Sequence, residues 1–313
     1  MAVPSKKFVM HGAATLTQIY TTARHSQRLR FEQTRSTDYL DYFMFKKCFS
    51  TLGCPDYSLD KVLDTAQAHG MDCVEIRALE NEIDLPSYFI KNDISPEELM
   101  RRCHKSGVAI AAFGSSLKVT SDPSEWLDTL NALAPWIIAA EVPSVRLFDG
   151  AMEASFDDWI DLAKSRAQFW RELKAKHGWE FDLAIETHDT LIDASLILEF
   201  VAATESTFPI LWDAHHTWRK GGEAWSVTWQ ACNRHIQHIH TKDSIGVPSA
   251  RHPYTYTHMG QGEMNAEGLT QLLVDSNYSG ILSLEWERMW HPYLDPIEQA
   301  LENLNKSFAA IHT

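Results

Sequence analysis

The chain has little that would tie it together covalently. It holds five cysteines, an odd number, and no CxxC. Cys48, Cys73 and Cys103 lie in or beside apolar runs, and with Cys54 and Cys232 they read as buried free thiols of a reducing compartment, not as a disulfide framework. Positive charge is also scarce: 28 Lys and Arg against 42 Asp and Glu leave a formal net charge of -14. An acidic surface disfavours phosphate backbones and anionic lipid, so neither nucleic acid nor a membrane is expected as a partner. A small anionic substrate stays open, because a few placed cations suffice for one. No apolar run approaches the roughly 18 residues of a membrane-spanning helix. No GxGxxG follows the first apolar run, where a nucleotide-binding doubly wound sheet would carry it. These absences suit a cytoplasmic globular enzyme.

Residues 1–42 form an N-terminal extension in this reading. Its first 31 residues carry Lys6, Lys7, Arg24, Arg28 and Arg30 and no acid, as a transit segment or a loosely docked tail would. From residue 43 to 313 short apolar runs alternate with longer amphipathic stretches. Eight candidate strands are Met44–Thr51, Cys73–Ile76, Ala109–Phe113, Ser144–Phe148, Phe181–Glu186, Ile210–Asp213, Ile236–His240 and Ile281–Glu285. Five helices are predicted between them: Leu59–Ala68 behind Ser58, Pro96–Ser106 between Ser95 and Gly107, Phe156–His177 before Gly178, and Ala266–Ser276 and Pro296–Ala309, which close the series. Eight alternations imply parallel strands closed into one (β/α)8 TIM barrel, with an open doubly wound sheet as the competing architecture. The longest irregular stretch, Ser244–Asn265, falls between strands seven and eight.

Barrel strands alternate inward and outward residues. That parity turns Glu186, Asp213, His240 and Glu285 inward at the carboxyl ends of strands five to eight, the rim where barrel enzymes place their chemistry. Three buried carboxylates without a cation would repel one another, and a divalent ion removes the conflict. Three oxygen ligands and one imidazole suit Mn²⁺ best, with Mg²⁺, Co²⁺ or Zn²⁺ also suited, and leave positions open for substrate oxygens.

The stretches LAIETHDT (183–190), LWDAHHTW (211–218), HIHTKDS (238–244), HMGQGEMN (258–265) and ILSLEWE (281–287), with YSLDKVLDTAQAHGMDCVEIR (57–77), resemble the xylose isomerase-like barrels, the sugar phosphate isomerases and epimerases. The resemblance covers about residues 45–310. It implies that Glu186, Asp213, His240 and Glu285 hold one metal ion, and that Glu186 and Glu285 are the catalytic pair, one removing a proton beside a carbonyl and the other returning one through an enediolate. Return to the other face is epimerisation, and return to the neighbouring carbon is isomerisation. The substrate implied is a sugar or a polyol-derived ketone. A lyase or dehydratase acting by β-elimination on a keto-sugar, inosose or 3-oxo-glycoside is the alternative. An endonuclease-like phosphodiesterase lacks its extra histidines here, and a non-enzymatic sugar-binding barrel has little use for a full ligand set.

Five residues are candidate substrate contacts: His216 in the D-x-x-H pattern, His188 above Glu186, Lys242, Arg146 on strand four and His258 in the long loop. For Lys242 the competing reading is a pair with Asp243. Glu75 and Arg77 on strand two are read as ion-paired with other barrel residues or as substrate contacts, and His238 as a hydrogen-bonded core histidine. Trp218, Trp225 and Trp229 are read as an apolar wall or as core packing. Assembly as a homo-oligomer or with a partner subunit is left open. The metal reading predicts about one divalent ion per chain by elemental analysis of protein purified without chelator. A reproducible value near three would indicate the endonuclease cluster.

Overall fold

The computed structural model describes residues 44–310, so the extension expected over residues 1–42 lies outside the described residues. Eight parallel strands close a barrel. They are β1 Lys46–Ser50, β2 Cys73–Ile76, β3 Ala109–Lys118, β4 Ser144–Phe148, β5 Asp182–Glu186, β6 Ile210–Asp213, β7 Ile236–Thr241 and β10 Ile281–Leu284. Each strand is hydrogen-bonded to its neighbours around the ring, and β10 closes on β1 through Lys46↔Ile281 and Cys48↔Ser283. The sequence places all eight strands, with ends shifted by up to two residues except in β3, which runs on to Lys118.

Ten α-helices are described: α1 Leu59–Ala68, α2 Leu85–Lys91, α3 Pro96–Ser106, α4 Pro123–Ala139, α5 Phe156–His177, α6 Ala194–Ala203, α7 Ala214–Arg219, α8 Trp225–Cys232, α9 Ala266–Asp275 and α10 Ile297–Ala310. Their starts are chemical. Ser58, Ser95 and Ser155 each accept a hydrogen bond from the backbone N–H three residues on. Gly107 and Gly178 end α3 and α5 in the left-handed conformation, at φ 70° and 66°. Among the described residues no helix is long and apolar enough to cross a membrane. All five cysteines are buried and free.

The barrel interior is layered. Cys48, Cys73 and Ala111 form a small buried apolar cluster near the amino-terminal end, with Ile281 packed on it. Glu75 and His238 follow above, and the ionisable rim comes next. Lateral register aligns that rim: Asp213 pairs with His240, and Glu186 with Phe148.

Two buried carboxylates fix the rim loops. Asp149, just after β4, accepts the backbone N–H groups of His188, Asp189, Thr190 and Leu191 at 2.7–3.1 Å. Asp243 accepts those of Ser244, Gly260, Gly262 and Met264 at 2.8–3.2 Å. The loop after β7 is not wholly irregular, since β8 Asp243–Ile245 and β9 Thr255–Thr257 pair as an antiparallel hairpin. Asp149→Ala strands four N–H groups that are mostly buried. It should cost at least about 3 kcal/mol of unfolding free energy, read by urea denaturation. A loss under about 1 kcal/mol would show that water satisfies those groups instead.

Candidate metal centre

Glu186 ends β5, Asp213 ends β6, His240 lies in β7 and Glu285 follows β10 directly. One donor atom from each lies within 4.8 Å of the other three, and all four residues are buried. His240 Nε2 is 2.6 Å from Glu75 Oε2. Its Nδ1 faces the acids, 3.5 Å from Glu186 Oε1 and 3.3 Å from Glu285 Oε1, and makes no hydrogen bond. Glu186 Oε2 is also buried without a hydrogen bond. A carboxylate that holds one imidazole nitrogen while the other points at acids is the usual arrangement around a metal-binding histidine. The Nδ1 and Oε2 atoms without hydrogen bonds, the latter in an ion pair with Arg146, and the hard oxygen-rich donor set fit a divalent ion.

Cations inside the barrel offset the acids. Arg146 Nε lies 3.3 Å from Glu186 Oε2. Lys242 Nζ lies 2.8 Å from Asp213 Oδ2 and 2.6 Å from Glu287 Oε1, and also binds Glu285. Burial alone would raise the Glu285 carboxyl, but His240 and Lys242 hold it well below the ordinary range. Glu186 is likewise lowered, because Arg146 and His240 outweigh burial and the charge of Glu285. Asp213 goes the other way, to about 6, because burial outweighs Lys242 and the two glutamates repel it. Burial would depress His240, but Glu285 and Glu75 carry it well above the ordinary imidazole value.

Of the five residues expected to meet substrate, His216, His188, Arg146 and Lys242 surround the four donors. His216 Nδ1 donates to Thr187 O at 3.0 Å, its backbone N–H donates to Asp213, and burial keeps its pKa well below normal. Its ring stands edge-on to that of His188, 4.7 Å between centroids. His258 is not brought to the cluster. It pairs with Asp295 at 2.9 Å and stacks on Trp286, because parity turns Trp286 outward and the loop residue follows that surface. Lys242 does not pair with Asp243, whose carboxylate is taken by backbone N–H groups. His238 is buried beside Glu75 but makes no hydrogen bond.

No single tryptophan wall forms. Trp229 packs on Trp212, Trp225 donates to Met264 O, and Trp218 meets His215. The sequence reading passed over Glu287, although its parity matches Glu285, and Tyr256, whose hydroxyl donates to Glu287 at 2.8 Å. Asp149, His188 and Asp189 form another acid–histidine group, but the four N–H bonds on Asp149 already use its oxygens.

The profile of the xylose isomerase-like TIM barrels matches residues 63–307. The chain belongs to that family. Solved structures of similar fold include a probable 3-DHS dehydratase, AsbF, from Bacillus anthracis, 18% identical over 83% of this chain and 99% of that one, with a TM-score of 0.69. The IolI protein, crystallised with a bound zinc atom, is 17% identical over 85% and 98% with a TM-score of 0.66. An AP endonuclease of family 2 from Brucella melitensis is 15% identical over 80% and 99% with a TM-score of 0.58. At such identities the likeness is one of fold. No curated protein matches the chain significantly. The xylose isomerase-like barrel seen here carries its acid–histidine cluster on the carboxyl rim.

The geometry yields a graded prediction for metal affinity by calorimetry. His240→Ala should lose most of it, Glu75→Gln should lose roughly 10- to 100-fold, and His238→Ala should stay within about tenfold of wild type. An unchanged Glu75→Gln would remove the orienting role. From sequence, affinity is expected to fall below roughly pH 6. The acids hold the proton on His240 more tightly, so the decline should already begin above about pH 6.5.

Proposed function

We propose that the protein is a divalent-metal-dependent isomerase or epimerase of a sugar or polyol-derived ketone. The observation that carries this reading is the pair of glutamates, both with pKa values lowered, that approach one imidazole nitrogen from two strands. When bound, the divalent ion, Mn²⁺ by preference for this donor set, stabilises the negative charge that develops on the carbonyl and neighbouring hydroxyl oxygens. Glu186, Asp213, His240 and Glu285 would hold it.

The remaining steps fall to the chain. One glutamate takes the proton from the carbon beside the carbonyl, and the other returns one to the opposite face or to the adjacent carbon. Arg146 and Lys242 keep Glu186 and Glu285 ionised for the first transfer. His216, whose Nδ1–H is committed to Thr187, offers Nε2 as an acceptor for a substrate hydroxyl. The acidic chain with buried free thiols suits the cytoplasm.

One observation favours β-elimination as a second reading. Burial would lower His188, but its hydrogen bond with Asp189 raises it, so an imidazole that takes a proton more readily than a free one sits on the same rim. In that chemistry a glutamate removes the proton, the β-carbon–oxygen bond breaks, and His188 protonates the departing oxygen.

Glu186→Gln and Glu285→Gln should each lose on the order of 10³-fold or more in turnover with the fold intact. The check is deuterium uptake from D₂O into ketoses, inosose and 3-oxo-glycosides with Mn²⁺, followed by NMR. Retention of more than about a tenth of wild-type rate in either variant would remove that glutamate from the mechanism.

A further inference from the structure

We propose that Arg77 and Arg146 form an anion subsite beside the metal centre, which takes a carboxylate or phosphate-ester group of the substrate. The inference rests on the proposed reaction only for the identity of the molecule that carries the anion.

The two side chains come from separate strands. Arg77 follows β2 on the inner face two residues beyond Glu75, and Arg146 is the middle residue of β4. Gly114 of β3 lies between them and pairs with Arg146 in register. A Cβ on Gly114 would stand 2.6 Å from Arg77 Cδ and 3.2 Å from Arg146 Nη2. Glycine is therefore what lets both guanidiniums lie over that strand.

Their charges are not equally matched. Arg146 has the Glu186 carboxylate and the Ser115 carbonyl. Arg77 is 6% exposed and donates from Nη2 to Ser116 Oγ at 2.8 Å, while its Nη1 is buried with no partner. Among the described residues Arg77 forms no ion pair. Burial and the neighbouring Arg146 charge bring it down to about 10 against the support of Glu75, Glu186 and Glu285, which leaves it protonated at neutral pH. A buried cation beside a second cation, with a free N–H and carboxylates only at longer range, gains from an anion in direct contact. A planar fork with unused donors suits the paired oxygens of a carboxylate or phosphate.

Lys242 cannot take this role while three carboxylates hold it. Ser116 is exposed, so the Arg77 end of the subsite is reachable from the surface. Gly114 and Ser116 also line a cavity of about 590 Å³ beside β3, but Asp84, Glu125 and Asp128 on its other walls disfavour an anion there, so the anion is assigned to the barrel side of the two guanidiniums.

The test is calorimetric titration of the metal-loaded protein with inorganic phosphate and with acetate, at constant ionic strength against chloride. Wild type should bind at least one of them above chloride. Arg77→Gln should weaken that binding roughly tenfold or more, and Ser116→Ala by severalfold, with metal content unchanged. Tighter phosphate binding marks a phosphate ester, and tighter acetate binding marks a carboxylate. Equal affinity in wild type and Arg77→Gln, or no binding above chloride, overturns the subsite. If Arg77→Gln does not fold, the exposed Ser116→Ala decides, and unchanged affinity there overturns it. Anion binding that persists while no ketone exchanges deuterium would refute the reaction and leave the subsite standing.

Discussion

Three carboxylates enclosed together set the terms for everything around them. Two unit charges of like sign at about 4 Å repel by roughly 4 kcal/mol even at an effective dielectric constant near 20. Glu186, Asp213 and Glu285 cannot share one buried space in ionised form unless positive charge is brought to the same point. Without a metal the chain meets that demand with Arg146, Lys242 and a His240 made more basic by Glu285 and Glu75. A divalent ion held by Glu186, Asp213, His240 and Glu285 would have to displace any proton on His240 and share Asp213 and Glu285 with Lys242, which keeps Glu287 as well.

Such a cluster is useful only if its walls do not move. Asp149 and Asp243 supply the stiffness, since each gathers backbone N–H groups from a loop that follows a rim residue. Gly262 allows the second of these. A Cβ there would come within 2.0 Å of Asp243 Oδ1. The loops after β5 and β7 are thus held by main-chain hydrogen bonds to buried charge, and not by side-chain packing alone.

The period of two along a strand made the core of this site legible in sequence. Once eight apolar runs are recognised, parity alone turns Glu186, Asp213, His240 and Glu285 inward, and the structure gathers their donor atoms. It does not say which inward neighbours will touch. Glu75 meets His240, and not Arg77, because strands β2 and β7 face one another across the interior. Loop positions were less legible. His258 follows a hairpin whose course depends on Asp243, and no local pattern distinguishes a loop histidine that turns inward from one that stacks on Trp286. Half of the ten described helices also escaped: α2, α7 and α8 because one or two turns leave little periodicity to read, and the longer α4 and α6 because their largely apolar sequences blur the period of 3.6.

The small layer of Cys48, Cys73 and Ala111 at the other end of the barrel bears on traffic. A cylinder stoppered at its base is a cul-de-sac, so a molecule that enters must back out by the way it came. The β8–β9 hairpin, where Tyr254, Tyr256 and His252 crowd together, stands on the carboxyl side of that closed base. Any molecule that reached the rim would leave as it arrived, and a slow exit would cap the pace of whatever happens inside.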